Sequence, residues 1–266
     1  MSEGRRIATV TAALLLALVS GGSAWGAAPR SDGLPEGGEP FAIDPASFTV
    51  DIDNPYWPME PGTRWIYRET DAEGTELKVV VTVTSETKEI ANGVTARVIR
   101  DTVTENGAVV EDTFDWYAQD AAGNIWYLGE DTAEFEKGKV SSRSGSFEAG
   151  VDGALPGVAV PANPVDDMRY RQEFYAGEAE DQGEVLSVDE QVEVPAGHYE
   201  RVLMTKDTNP IEPKILEFKF YAPDVGPTLA IAVSGSSDRE ELLKVTKVGT
   251  RAARASGTVA LGKRYP

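Results

Sequence analysis

The chain has 266 residues, with 44 acidic against 25 basic and a formal net charge of −19 at pH 7. A charge of that sign and size repels nucleic acid and anionic lipid headgroups, so neither is expected as a partner. The absence of cysteine excludes disulfides, thiol nucleophiles, zinc ribbons, iron–sulfur sites and a lipid-modified cysteine anchor, and one histidine cannot make a multi-histidine zinc site.

In chain order, Arg5 and Arg6 precede an uncharged apolar run at residues 7–19, and small residues follow at 21–24. This is the pattern of an export signal cleaved after Ala24, or two residues later after Gly26, and the run is shorter than the ~20 residues of a membrane span. No later segment is apolar enough to cross a bilayer, so a secreted or periplasmic bacterial location without a membrane segment is expected. Loss of Glu3, Arg5 and Arg6 with the signal takes the net charge from −19 to −20. Residues 25–53 are rich in Pro, Gly, Ser and Asp and read as a flexible linker. A single domain is expected over residues 54–248. Residues 249–266 carry four basic residues and no acid, and read as a disordered tail.

Within the domain, residues 61–67 lead into a first strand, and 77–84 (LKVVVTVT) and 94–104 follow as the second and third. Residues 109–131 (VVEDTFDWYAQDAAGNIWYLGED) carry the strongest signal. Phe114 and Trp116 alternate with polar residues, a turn at 120–124 places Gly123 where φ > 0 is needed, and Trp126 opens the return strand. Residues 137–164 read as a long loop with one strand or a turn of helix. Residues 168–175 (MRYRQEFY) alternate, with Arg169, Arg171 and Glu173 on one face. Strands are expected at 178–188, 191–194, 199–205, 215–221, 228–233 and 240–245. No helical period appears after the signal. The fold class is therefore all-β: one strongly curved antiparallel meander, a half-barrel or incomplete barrel.

The aromatic stripe suits a packed core, and it also suits an apolar cavity inside an incomplete barrel. On the second reading Trp65, Tyr67, Trp116, Trp126 and Phe174 line a pocket. Arg171 and Glu173 would then stand on its wall, with Arg171 free to grip a carboxylate or phosphate. Acidic groups recur at Asp112/Asp115, Glu130/Asp131 and Glu178/Glu180/Asp181. Solvated strand ends explain them most simply. Calcium, the one cofactor considered, would be held by Asp112, Asp115, Glu178, Glu180 and Asp181. Two facing carboxylates would also suit glycoside hydrolysis. No nucleophile elbow, P-loop or dinucleotide fingerprint is present. His198 lies in a turn with no nucleophile or orienting acid nearby in sequence, and no catalytic residue is expected.

Five blocks in order resemble a family of uncharacterised bacterial exported β-rich proteins. Residues 57–67 (WPMEPGTRWIY) resemble its "PL-x-x-G-x-x-W-x-Y" opening, and residues 111–131 its central hairpin. Residues 170–181 resemble a third block, while 194–200 (VPAGHYE) and 221–226 (YAPDVG) resemble its "VPAGTF" and "YAPGVG" blocks. The likeness spans roughly residues 54–247. It implies a curved antiparallel sheet akin to lipoprotein-carrier half-barrels and no established activity. His198 replaces the usual Thr, and Asp224 the usual Gly, which puts that turn in question.

The expected function is an exported, non-catalytic binding or carrier protein for an apolar or amphiphilic small molecule. An acidic calcium- or cation-binding envelope protein and a carboxylate-based glycoside-active enzyme stay open as alternatives. No protein partner is indicated.

Overall fold

The structure is a computed structural model that describes residues 33–249. The expected signal peptide, and all of the expected tail but Gly249, lie outside the described residues.

Thirteen strands follow one another in a single antiparallel order that curls almost into a closed barrel. The first hairpins are β2 (Thr63–Thr70), β3 (Glu76–Glu89), β4 (Thr95–Glu105), β5 (Ala108–Asp120) and β6 (Ile125–Glu136). The last strands are β12 (Gln182–Val194), β13 (Gly197–Thr208), β14 (Leu216–Ala222), β15 (Gly226–Ser234) and β16 (Arg239–Lys247). β16 pairs with β2 and so joins the two meanders edge to edge. Among the described residues no helix is long and apolar enough to cross a membrane.

The turns behave as their residues require. Between β5 and β6 the Asp120 carboxylate accepts from the backbone N–H groups of Ala122 and Asn124, and its second oxygen accepts from Trp126 Nε1 at 2.8 Å. Gly123 there has φ +94°, as its place in the sequence predicts. Asp224 takes φ +62°, so the turn where a glycine is usual keeps a left-handed residue, and its N–H donates to Pro55 O at 2.7 Å.

Two expectations change. Residues 137–164 hold three strands rather than one: β7 (Lys139–Ser142), β8 (Phe147–Glu148) and β9 (Leu155–Val160). β9, a continuous apolar run with most of its residues buried, enters the main order beside β6. The alternating segment 168–175 is not one strand. It divides at Gln172 into β10 (Arg169–Arg171), paired with β12, and β11 (Glu173–Phe174), paired with β9. These are the two ends of the strand order, so the chain itself crosses the barrel's one unsealed seam at Gln172. Approach there is close: a Cβ on Gly157 of β9 would stand 2.2 Å from the Gln172 carbonyl carbon.

The described part of the expected linker, residues 33–53, packs on the barrel. A short 3-10 turn (Pro45–Ser47) precedes β1 (Phe48–Thr49), which pairs with β5. Phe41 lies 5.3 Å from the Trp126 ring, and Gln119 accepts from the N–H groups of Asp53 and Asn54. Phe114, Trp116 and Ala118, alternating with lumen-facing residues on β5, are buried as well. Lys88 Nζ sits 4.5 Å over the Trp116 ring and Arg100 is 5.6 Å from that of Phe114.

Candidate binding site in the barrel lumen

Barrel closure leaves a cavity of about 360 Å³ between the sheet walls. Alternation on each strand aims every second side chain into it. β2 contributes Tyr67, β4 Ile99 and Asp101, and β5 Glu111, Asp115 and Tyr117. β6 contributes Tyr127, Glu130, Thr132 and Glu134; β14 contributes Lys219 and Tyr221; β16 contributes Glu240. Glu173 and Asp181 enter from the seam, and Trp57 from the loop before β2.

One wall is aromatic. Trp57 lies 5.3 Å from Tyr117 and 6.1 Å from Tyr221, and Tyr117 stacks on Tyr127 at 4.9 Å. The rest is dominated by carboxyl groups, eight among the lining residues, with Lys219 as the one basic residue. Lys219 is already engaged, 2.9 Å from Asp207 and 3.3 Å from Glu217. Burial alone would lower its pKa, but those two carboxylates hold it well above the ordinary lysine value.

Enclosing so many acids forces protons onto them. Tyr127 Oη lies 2.9 Å from Asp115 Oδ1 and 2.8 Å from Glu130 Oε2. A phenol has one hydrogen, so one of the two contacts must use a carboxyl proton. Glu130, pushed well above the usual range by burial and then by Asp115, is its natural holder. Glu173 and Asp181 form a second sharing pair. Burial and Asp181 raise Glu173 strongly, while burial takes Asp181 to about 6 against the lowering hydrogen bond from Glu173. Burial, followed by neighbouring acids, lifts Glu69 to about 7 and Glu240 to about 8. Asp101 is pushed well above its usual value by burial and then Glu240, and its Oδ1 is buried with no hydrogen-bond partner.

Of the residues singled out in the sequence as ligand-binding, Tyr67 and Glu173 line the lumen. Tyr67 is fixed by its hydroxyl donating to Pro227 O at 3.0 Å. Trp65, Trp116 and Trp126 are buried packing residues, and Trp65 Nε1 donates to Val225 O at 2.7 Å. Phe174 is half-buried against Gly38. Arg171 does not share a pocket with Glu173, because the break at Gln172 ends the alternation between them. Its guanidinium is buried and donates to the carbonyls of Pro156 (2.9 Å), Gly37 (2.5 Å) and Glu39 (2.7 Å). It ties the N-terminal segment over the seam, and its Nη2 is buried with no hydrogen-bond partner.

The five carboxylates considered for calcium are dispersed. Asp112 faces away from the lumen and pairs with Arg100 at 2.8 Å. Asp115 and Asp181 line the lumen, and Glu180 accepts from the Gly177 N–H. Glu178 is half-buried in the same turn, where its N–H donates to Tyr175 O. Among the described residues no group of three or more His, Asp or Glu is placed to hold a metal ion. His198 is exposed, 3.9 Å from Glu200.

Sequence reasoning missed Asp101, Glu111, Glu240, Lys219 and the Trp57–Tyr117–Tyr127–Tyr221 wall as site residues. A signal existed for some: Asp101 falls between Ile99 and Val103 on one face of β4, and Glu111, Asp115 and Tyr117 share one face of β5.

No protein-family model matches the chain, and no curated protein matches it. Two solved structures are similar. One, from Bacteroides fragilis, is described provisionally as an exported protein with a YmcC-like fold; identity is 15%, TM-score 0.43, coverage 72% of this chain and 98% of that one. The other, from Parabacteroides distasonis, is described provisionally as a lipoprotein; identity is 12%, TM-score 0.41, with the same coverages. Likeness this loose carries no function across.

Proposed function

We propose that the protein is an exported, non-catalytic binding or carrier protein whose barrel lumen holds an amphiphilic small molecule. The observation that carries this reading is the cavity of about 360 Å³, large enough for a small organic ligand and walled on one side by packed aromatic rings. Export is supported by the signal pattern in residues 1–24. The absence of a nucleophile motif in the sequence supports a binding role.

The test is native mass spectrometry on mature protein taken gently from its own host, with N-phenyl-1-naphthylamine fluorescence as a second probe. An organic adduct shed on mild activation, and dye uptake abolished by filling the lumen with Ala159→Trp or Ala230→Trp, are expected. Bare protein that takes up no dye would overturn the reading.

A further inference from the structure

We propose that the lumen selects an organic cation, an alkylammonium whose chain lies on the aromatic wall and whose charged head sits among Asp101, Asp115 and Glu240. This rests on the lumen being the binding site, and adds the chemical class of what it binds.

Three observations carry it. First, the lumen's charge is one-sided. Its single lysine is paired with Asp207 and Glu217, and the charged groups that crowd Asp101 are all acids: Glu240, Asp115, Glu111 and Glu69. An anionic headgroup would add to that crowding of acids, whereas a cation takes the place of the protons that the crowded carboxyls otherwise hold. Second, Asp101 Oδ1 is buried with no hydrogen-bond partner. A buried carboxyl oxygen without a donor is costly, and an ammonium head brings up to three donors. Third, the same space is bordered by Trp57, Tyr117 and Tyr221, whose ring faces attract a cation and whose area shelters an alkyl chain. A metal ion fits less well, since the carboxyl groups are spread along the walls and no three converge among the described residues.

The test is isothermal titration of the mature protein at pH 7.5 in moderate salt with three eight-carbon probes: octylammonium, octanol and octanoate. Octylammonium is expected to bind at least about tenfold tighter than octanol, with octanoate weakest, as charge-assisted hydrogen bonds in an enclosed site imply. Asp101→Asn should shrink the octylammonium-to-octanol ratio by about tenfold. Octanol or octanoate binding as tightly as octylammonium would overturn the cation assignment and leave the lumen as a binding site. So would a ratio unchanged by Asp101→Asn. Octylammonium binding that survives Ala159→Trp would mean adsorption on the acidic surface and would also overturn it. If none of the three probes nor N-phenyl-1-naphthylamine binds, the binding-site reading itself falls.

Discussion

Arg171 places a full positive charge inside the protein and answers it with carbonyl oxygens from two distant parts of the chain. A guanidinium can do this because its donors form a planar fork; an ammonium on a lysine stem cannot span the same three acceptors. Arg171→Lys should therefore destabilise the protein by about 2 kcal/mol, and Arg171→Met by about 3 kcal/mol or more, since three carbonyls lose a charged donor. Urea denaturation would measure both, and a loss under about 0.5 kcal/mol would show that Arg171 does not hold the seam. Asp101 runs the other way. Removing its ionisable carboxyl with Asp101→Asn, so that folding no longer has to shift a titration upward, should stabilise the ligand-free protein at pH 8 by about 1 kcal/mol, seen as a rise in melting temperature. A fall would mean that the carboxylate has a partner in the folded state. Neither behaviour was legible in the sequence. Arg171 reads as one tooth of an alternating strand, and its acceptors Gly37 and Glu39 lie 134 and 132 positions away. Asp101 reads as one more acid in an acidic chain.

Strands were legible where alternation and turn chemistry agree. β2 to β6 and β13 to β16 each carry period-two patterning and end at glycine, asparagine or aspartate turns, so their local preference already matches the fold. β12 reads as two pieces because its pairing with β13 shifts register between Val185 and Ser187 and again before Glu190 and Gln191. β7, β8 and β11 are four, two and two residues long, too short to show a period, and exist because β6 and β9 offer edges for them. The break between β10 and β11 depends on Gly157, where any side chain would collide with the Gln172 peptide. Gly157→Ala should push β9 away from β11 at a cost of about 1–3 kcal/mol, the range for overpacking a close contact. Its signature should be local: faster amide hydrogen exchange at residues 172–175 with β13 to β15 unchanged. Uniform loss of protection would mean that the seam has no separate identity.

Across the whole molecule the lumen's acidity was visible in the net charge but not its location. Strands far apart in sequence meet only when the sheet closes, so Asp101 of β4 and Glu240 of β16 become neighbours through topology. Closure also sets how stability depends on pH. Glu69 and Glu240, on adjoining β2 and β16, reach about 7 and about 8 in the folded state against 4.5 for an unperturbed Glu. Around Glu240 stand Glu69, Glu217 and Lys219, and around Asp101 stand Glu240, Asp115 and Glu111. Acids with raised values bind more protons folded than unfolded, so the stability they confer is complete below about pH 4.5 and is lost as pH climbs through 7 and 8. Glu39, Glu184 and Glu241 are shifted the opposite way, so what they contribute holds above that range and disappears in acid. The ligand-free protein should thus be most stable near pH 5 and lose on the order of 3 kcal/mol by pH 8, with Glu240→Gln flattening that descent. Melting temperatures at pH 5, 6.5 and 8 would measure it, and a flat or rising curve would refute an enclosed acidic lumen. Octylammonium should recover more of the loss at pH 8 than at pH 5, because there the cation supplies the charge that the missing protons no longer provide.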